Sequence, residues 1–377
     1  MIVERKAWHE KIVKEFEVHP VCALLGPRQC GKTTLAKAYG QLIPHHYFDC
    51  ENQIHLGRLE NPLFTLKDLK GCIIIDEVQL RPDLFSVLRV LVDEDPQKQF
   101  IITGSASRDL IHQSSQTLAG RIGYHQVTPF AIDEVADWKT LWVRGGFPKS
   151  FLASTLSGSL RWRDEYIKTF LERDLALLGF DVSVPLVSKL WRMLAHYHGQ
   201  ILNYATLATA LNIDQRTLKR YLFAFEGAFM ITLLKPWHAN TLKREVKSPK
   251  LYIRDTGLLH RLLHIDQDDI ENHPMVGSSF EGFVIENIHR IFGCTDNAFF
   301  WATHSGAELD LLVLHEGKKI GFEVKLNDRP TITKSMRISL EDLQLDHLYI
   351  VTPHSGHYKL EPNISVVGVD DLSINFT

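Results

Sequence analysis

Between residues 21 and 127, short apolar runs alternate with longer mixed segments. The runs are Val21 to Leu25, Tyr47 to Asp49, Cys72 to Ile75, Phe100 to Thr103 and Ile122 to Val127. They are brief and β-branched at their centres, which predicts parallel strands covered on both faces by crossover helices. From about Ser157 to Leu234, Leu, Trp, Tyr and Phe recur every three or four residues, which predicts helices. Beyond Phe280 an apolar-faced helix gives way to strand-like runs at Glu308 to Leu314, Lys319 to Lys325 and His347 to Val351. The pattern therefore predicts an α/β protein in three parts: a parallel-sheet domain over 1–153, a helical region over 154–240 and a second α/β unit over 241–377. No internal repeat or low-complexity tract supports a solenoid.

Composition narrows the function classes. A chain of 377 residues with 45% hydrophobic and 23% charged positions can bury two or three cores, so intrinsic disorder is excluded. The 42 basic and 45 acidic residues leave a net charge of −3, which argues against a histone-like bulk DNA binder but leaves local basic surfaces open. No run approaches the ~18 apolar residues of a membrane span, and charges at Glu4, Arg5 and Lys6 fall where a secretory signal needs apolar residues. The expectation is a cytoplasmic protein with no membrane partner. The cysteines, Cys22, Cys30, Cys50, Cys72 and Cys294, are scattered, odd in number and form no CxxC pair, so neither a disulfide framework nor a structural zinc site is expected.

The strongest chemical signal is Gly26-Pro27-Arg28-Gln29-Cys30-Gly31-Lys32-Thr33, which fits GxxxxGK[ST] between an apolar run and the helix-forming segment that begins at Thr34. A strand that ends where a helix begins lets backbone N–H groups and the positive helix terminus converge on phosphates. Lys32 is expected to reach the β- and γ-phosphates of ATP and Thr33 to ligand Mg²⁺. Cys72-Ile73-Ile74-Ile75-Asp76-Glu77 is a buried strand ending in two carboxylates, Asp76 for the Mg²⁺ shell and Glu77 to polarise the attacking water. Thr103, with Ser105 second, is the candidate γ-phosphate sensor, a helix cap or turn being the structural alternative. Arg121 is the candidate arginine finger, a surface arginine the alternative. Acting in trans, it would require a homo-oligomer.

Taken together, LGPRQCGKT (Leu25 to Thr33), IDEVQL (Ile75 to Leu80), ITGS (Ile102 to Ser105), LAGR (Leu118 to Arg121) and GGFP (Gly145 to Pro148) resemble the bacterial and archaeal AAA-type ATPases that carry a C-terminal DUF4143 domain. The resemblance spans nearly the whole chain and includes Val246 to Leu259. It implies an N-terminal P-loop AAA+ core, a winged-helix-like segment and a C-terminal module similar to the PD-(D/E)xK, restriction-endonuclease-like superfamily. It implies no defined cellular process.

Within the helical region, Asn203 can cap a helix over Tyr204 to Leu211, Asn212-Ile213-Asp214 makes a turn, and Gln215 to Phe225 forms a second helix bearing Gln215, Arg216, Lys219 and Arg220. This is helix-turn-helix spacing, in which such residues hold phosphates or read base edges of DNA; a hairpin of packing value alone is the alternative. Lys235, Lys243, Arg244, Lys247, Lys250 and Arg254 follow closely and can add to one positive face.

In the last unit Glu308 and Asp310 share one face of a strand, Glu316-Gly317 makes a turn, and Glu323 and Lys325 share a face of the returning strand. A hairpin would bring Asp310 and Glu323 together as ligands for a second Mg²⁺ or Mn²⁺, with Lys325 beside them to orient water or stabilise phosphorane charge. Glu281 resembles the first-helix glutamate of the nuclease superfamily, whereas Glu286 faces elsewhere. Phe299, Phe300 and Trp301 can stack on bases but read better as core. The expected function is a Mg-ATP-hydrolysing ATPase that acts on nucleic acid, with a metal-dependent C-terminal nuclease. The main alternative is an ATP-dependent regulatory switch or binding protein whose nuclease-like domain is inactive, and a small-molecule kinase is a distant third.

Overall fold

A computed structural model describes residues 3–105, 114, 116–175, 183–238, 246–265, 270–293, 296–327 and 329–373. The chain divides into two compact units, one of residues 1–129 with 227–229 and one of the remainder.

The first unit is built on five parallel strands: β1 (Val21–Gly26), β2 (His45–Asp49), β3 (Cys72–Asp76), β4 (Gln99–Ser105) and β5 (Ile122–Gln126). Their order across the sheet is β2-β3-β4-β1-β5. β1 and β3 are buried along their whole length, as parallel strands covered on both faces must be. The helices α1 (Lys6–Phe16), α2 (Lys32–Gly40) and α3 (Leu84–Glu94) belong to this unit, and α3 sends Leu84, Phe85, Leu88, Leu91 and Val92 into the core around Ile73, Ile75, Phe100 and Ile102. Because β4 lies between β1 and β3, the carboxyl ends of all three converge on one edge.

In the second unit α4 (Trp138–Arg144) and α5 (Leu156–Thr169) precede a run of α6 (Val184–His196), β6 (Gln200–Ile201), α7 (Tyr204–Leu211), α8 (Gln215–Gly227), β7 (Ile231–Pro236) and β8 (Lys250–Ile253). β8 pairs antiparallel with both β6 and β7. The Asn203 side chain accepts the Thr206 N–H at 3.1 Å and Asn212 ends α7 in the left-handed conformation, so the capping residues read in the sequence set both ends of that helix.

After α9 (Thr256–Leu262) and α10 (Val276–Phe292), the chain forms β9 (Ala298–Ala302), β10 (Glu308–His315), β11 (Lys318–Val324), α11 (Lys334–Leu343), β12 (His347–Thr352), β13 (His357–Glu361) and β14 (Ile364–Gly368). β9, β10 and β11 are an antiparallel meander, β12 joins β11 in parallel, and β7 joins β9 in parallel, so nine strands make one sheet. Glu316 (φ 49°) and Gly317 (φ 79°) form the two-residue turn of the β10–β11 hairpin, the left-handed pair that matches strand twist. Phe300 and Trp301 are fully buried, so this aromatic strand is core.

His289 on α10 is buried with neither ring nitrogen hydrogen-bonded. Burial drives the ring from an ordinary value of 6.5 down to about 4. A depressed histidine contributes stability that is complete above its unfolded value and is lost as pH falls towards the folded one. His289→Leu is therefore expected to gain on the wild type as pH falls from 6.5 to 4, by about 3 kcal/mol at the acid end. Urea midpoints at pH 7 and pH 4.5 read this; an equal difference at both pH values would refute it.

Candidate functional site

The phosphate loop joins β1 to α2. Gly31 stands at φ 101° and Gln29 at φ 61°, so the chain turns sharply and presents the first N–H groups of α2 at the strand edge. The buried Lys32 ammonium donates to the carbonyls of Gly26 at 3.0 Å and Pro27 at 2.8 Å, which keeps the amine folded along the loop. The Thr33 hydroxyl donates to Asp76 Oδ1 at 3.1 Å. Hydroxyl and carboxylate oxygens side by side are hard ligands suited to Mg²⁺ beside a triphosphate, so these residues fit Mg-ATP.

Asp76 gathers two further donors. Thr103 donates to its Oδ1, and the Tyr47 hydroxyl donates to its Oδ2 at 2.7 Å. Burial, reinforced by the Asp76 carboxylate, holds the Tyr47 phenol well above its ordinary value, so it stays a donor. Thr103 also accepts the Glu77 N–H at 3.4 Å. Glu77 sits in the left-handed region at φ 54°, and its carboxylate accepts a hydrogen bond from the Gln79 amide. A bulky residue held there is strained by about 1 kcal/mol or more, a cost that concentrates at functional sites. Tyr47 was not legible as a site residue, the only signal being its place on a strand two residues before Asp49.

Lys32, Thr33, Asp76, Glu77 and Thr103 are thus brought together, and Ser105 closes β4 beside Gly26 in the register. Arg28 turns to Glu51 at 3.2 Å. Arg121 is not brought to this site. It precedes Ile122, which pairs with Val21 at the start of β1, about 16 Å of strand away from Gly26. Its guanidinium grips Asp93 at 2.6 and 3.0 Å.

The second unit assembles a buried charged cluster. The β10–β11 register pairs Leu311 with Phe322, so its next step sets Asp310 opposite Glu323. Asp310 Oδ2 accepts the Val324 N–H at 2.9 Å, and Lys325 Nζ donates to Glu323 Oε1 at 2.8 Å. Glu323 Oε2 is buried with no hydrogen-bond partner. From α10, Glu281 accepts the Tyr252 hydroxyl at 2.5 Å. The Lys250 ammonium lies 3.5 Å from Glu281 Oε1 and 4.0 Å from Asp310 Oδ1. Burial and then the Asp310 charge push both Glu281 and Glu323 above the ordinary carboxylate range. Burial opposes the Lys250 charge, but the Glu281, Asp310 and Glu308 carboxylates outweigh it and keep the amine protonated. Among the described residues, no group of three or more His, Cys, Asp or Glu side chains is arranged to hold a metal ion. Glu308 is exposed.

Two members of the expected positive face are corrected. Lys250 is 4% exposed, turned inwards into the carboxylates. Arg254 is engaged with Glu286 at 2.5 to 3.1 Å, since a guanidinium pairs bidentately with a carboxylate. Lys235 and Lys247 are exposed, and Lys243 and Arg244 lie outside the described residues. On α8, Gln215, Arg216, Lys219 and Arg220 are all exposed while Leu218, Tyr221, Leu222 and Phe225 are buried.

No helix among the described residues is long and apolar enough to cross a membrane. The AAA domain profile matches residues 18–136, DUF8612, a domain of unknown function, matches residues 135–269, and DUF4143, a second such domain, matches residues 276–372. Val246 to Leu259 thus falls in the DUF8612 match. Among solved structures the chain is similar to the Walker-type ATPase Paby2304 of Pyrococcus abyssi, at 18% identity and TM-score 0.45, over 70% of this chain and 96% of that one. AMPPCP-bound DnaA of Aquifex aeolicus aligns at 14% identity and TM-score 0.32, over 59% of this chain and 88% of that one. The chain is 44% identical over 376 residues to the uncharacterized protein Rv2008c of Mycobacterium tuberculosis and, equally, to the uncharacterized protein Mb2031c of Mycobacterium bovis, covering 99% of this chain and 85% of each relative. The chain therefore belongs to the same family as these two mycobacterial proteins, and its N-terminal part is an AAA-type P-loop ATPase domain followed by DUF8612 and DUF4143 domains.

Proposed function

We propose that the protein is a Mg-ATP-hydrolysing ATPase that binds DNA through its helix-turn-helix segment and cleaves phosphodiesters at its C-terminal carboxylate cluster with divalent metal. The observation that carries the nuclease part is the buried Glu323 Oε2, which has no partner and stands opposite Asp310 beside the Lys325 ammonium. An acceptor left unpaired in a buried site costs about 1–3 kcal/mol, which a cation would offset. The order α10-β9-β10-β11-α11-β12, with β12 parallel to β11, supports likeness to the PD-(D/E)xK superfamily. The order α6-β6-α7-α8-β7-β8, with β8 paired to β6 and β7, supports a winged helix.

In the ATPase part, Thr33 and Asp76 would hold Mg²⁺, which would neutralise phosphate charge. Lys32 leaves its loop carbonyls for the phosphate oxygens, and Glu77 orients the attacking water and takes up its proton. Thr103, bonded to Asp76 and to the Glu77 N–H, transmits a change at the γ-phosphate to both carboxylates. Arg121, at the far end of β1, serves as a finger only towards a second copy of the chain. In the nuclease part, Asp310 and Glu323 would hold the cation, which would supply Lewis acidity. Lys325 faces the developing negative charge at phosphorus.

Incubation of linear and supercoiled DNA with Mn²⁺, with and without ATP, tests the reading. Cleavage lost in Asp310→Asn supports it. No cleavage under any condition refutes it in favour of an ATP-driven binding protein, a second reading favoured by the Lys250 ammonium lying among the carboxylates. For the DNA-binding part, removing Arg216 and Arg220 together is expected to reduce the slope of log affinity against log salt by about 2, one for each phosphate that an arginine no longer neutralises. Fluorescence anisotropy over a salt series reads this, and an unchanged slope would place DNA elsewhere.

A further inference from the structure

We propose that Lys250 is a fixed internal cation that occupies the space between Glu281 and Asp310, so the C-terminal cluster takes one divalent cation, on the Asp310–Glu323 side, and is closed to a second. The inference rests on the nuclease reading above and adds to it the number of metal ions and the residue that sets that number.

The geometry divides the cluster into two halves. On one side the Lys250 ammonium faces Glu281 Oε1 at 3.5 Å and Asp310 Oδ1 at 4.0 Å, and Tyr252 donates to the same Glu281 oxygen. The amine is walled in: it is 4% exposed, begins β8 and lies 5.6 Å from the Phe300 ring centroid. A buried ammonium with two carboxylates stays charged, and removing one partner of such a group is expensive. On the other side Asp310 and Glu323 stand opposite each other, Lys325 satisfies one Glu323 oxygen, and the second Glu323 oxygen has no partner. An unsatisfied carboxylate oxygen that is buried calls for a further cation, and that oxygen, Glu323 Oε2, lies in the Asp310–Glu323 half.

Charge counting agrees. Glu281, Asp310 and Glu323 outnumber Lys250 and Lys325 by one, and the exposed Glu308 adds to the same negative field. Two carboxylates with water and a substrate phosphate are the ordinary protein contribution to a Mg²⁺ site. Two bridging divalent cations would need Glu281 as a further ligand, and Glu281 is engaged by Lys250 and Tyr252. The same division agrees with the absence, among the described residues, of three or more His, Cys, Asp or Glu side chains arranged to hold a metal ion. Lys250 comes from the DUF8612 segment and the three carboxylates from the DUF4143 segment, so neither alone specifies the count.

The test is Mn²⁺ titration of the full-length, EDTA-stripped, nucleotide-free protein, counting bound metal by electron paramagnetic resonance. C-terminal equivalents are those lost on adding Asp310→Asn, which removes any common contribution of the ATPase domain. The wild type and Lys250→Arg are expected to lose one equivalent, and Lys250→Met to lose two. Two equivalents in the wild type overturn the proposal and leave the nuclease reading standing. One equivalent of unchanged affinity in folded Lys250→Met does the same. No Asp310-dependent equivalent in the wild type overturns both. If Lys250→Met does not fold, as judged by circular dichroism, the wild-type count decides.

Discussion

Lys32→Ala is expected to lower ATP turnover by about 10²- to 10³-fold, the effect of removing one preorganised charge at a site of developing negative charge. The amine lies along the loop, and its tethers are two backbone carbonyls, Gly26 and Pro27. Those bonds can be exchanged for phosphate oxygens without unfolding any element, because β1 and α2 are held by their own ladders. Glu77→Gln separates binding from chemistry. The amide keeps the shape and a hydrogen bond with Gln79 but cannot accept a proton from water, so nucleotide affinity is retained while turnover falls by about 10²- to 10⁴-fold. Malachite-green phosphate release, beside fluorescent-nucleotide binding, reads both variants. Turnover in Lys32→Ala within twofold of the wild type would remove Lys32 from the chemistry.

What was legible in the sequence was whatever depends on local order. The loop between Leu25 and Thr34 required a strand before it and a helix after it, and β1 and α2 lie there. Asn203, Asn212 and Gly317 each have a specific backbone role, so the ends of α7 and the β10–β11 turn follow from residue type alone. What was not legible depends on pairing between distant segments. Lys250 and Arg254 look in sequence like two more charges in a basic tract, yet Glu281 and Glu286, about thirty residues on, take them inwards. Tyr47 becomes an Asp76 partner only because β2 and β3 are neighbours with Asp49 paired to Asp76. Arg121, in Leu118-Ala119-Gly120-Arg121, is a candidate finger whose distance from the loop is not written in the local sequence. The direction of β5 sets it at the opposite end of the sheet from the loop, and Asp93 supplies its counter-charge.

Lys325→Ala is expected to abolish DNA cleavage, by about 10²- to 10³-fold, while leaving one C-terminal Mn²⁺ equivalent in place. The lysine is 37% exposed at its side chain, whereas its partner Glu323 is 5% exposed, so the ammonium reaches outwards from a buried carboxylate, where the nuclease proposal has the phosphate bind. It is not a metal ligand, because an ammonium has donors only. Asp310 and Glu323 therefore remain to hold the cation when it is gone. A merely structural role would be seen differently: loss of the 2.8 Å bond to Glu323 would lower the thermal midpoint and the Mn²⁺ affinity together. Lys325→Arg keeps the positive charge and is expected to recover part of the cleavage, which a packing defect would not allow. If Lys325→Ala cuts plasmid at the wild-type rate with Mn²⁺ bound, no positive charge acts at the phosphorus. Asp310 and Glu323 then cut without help from the lysine.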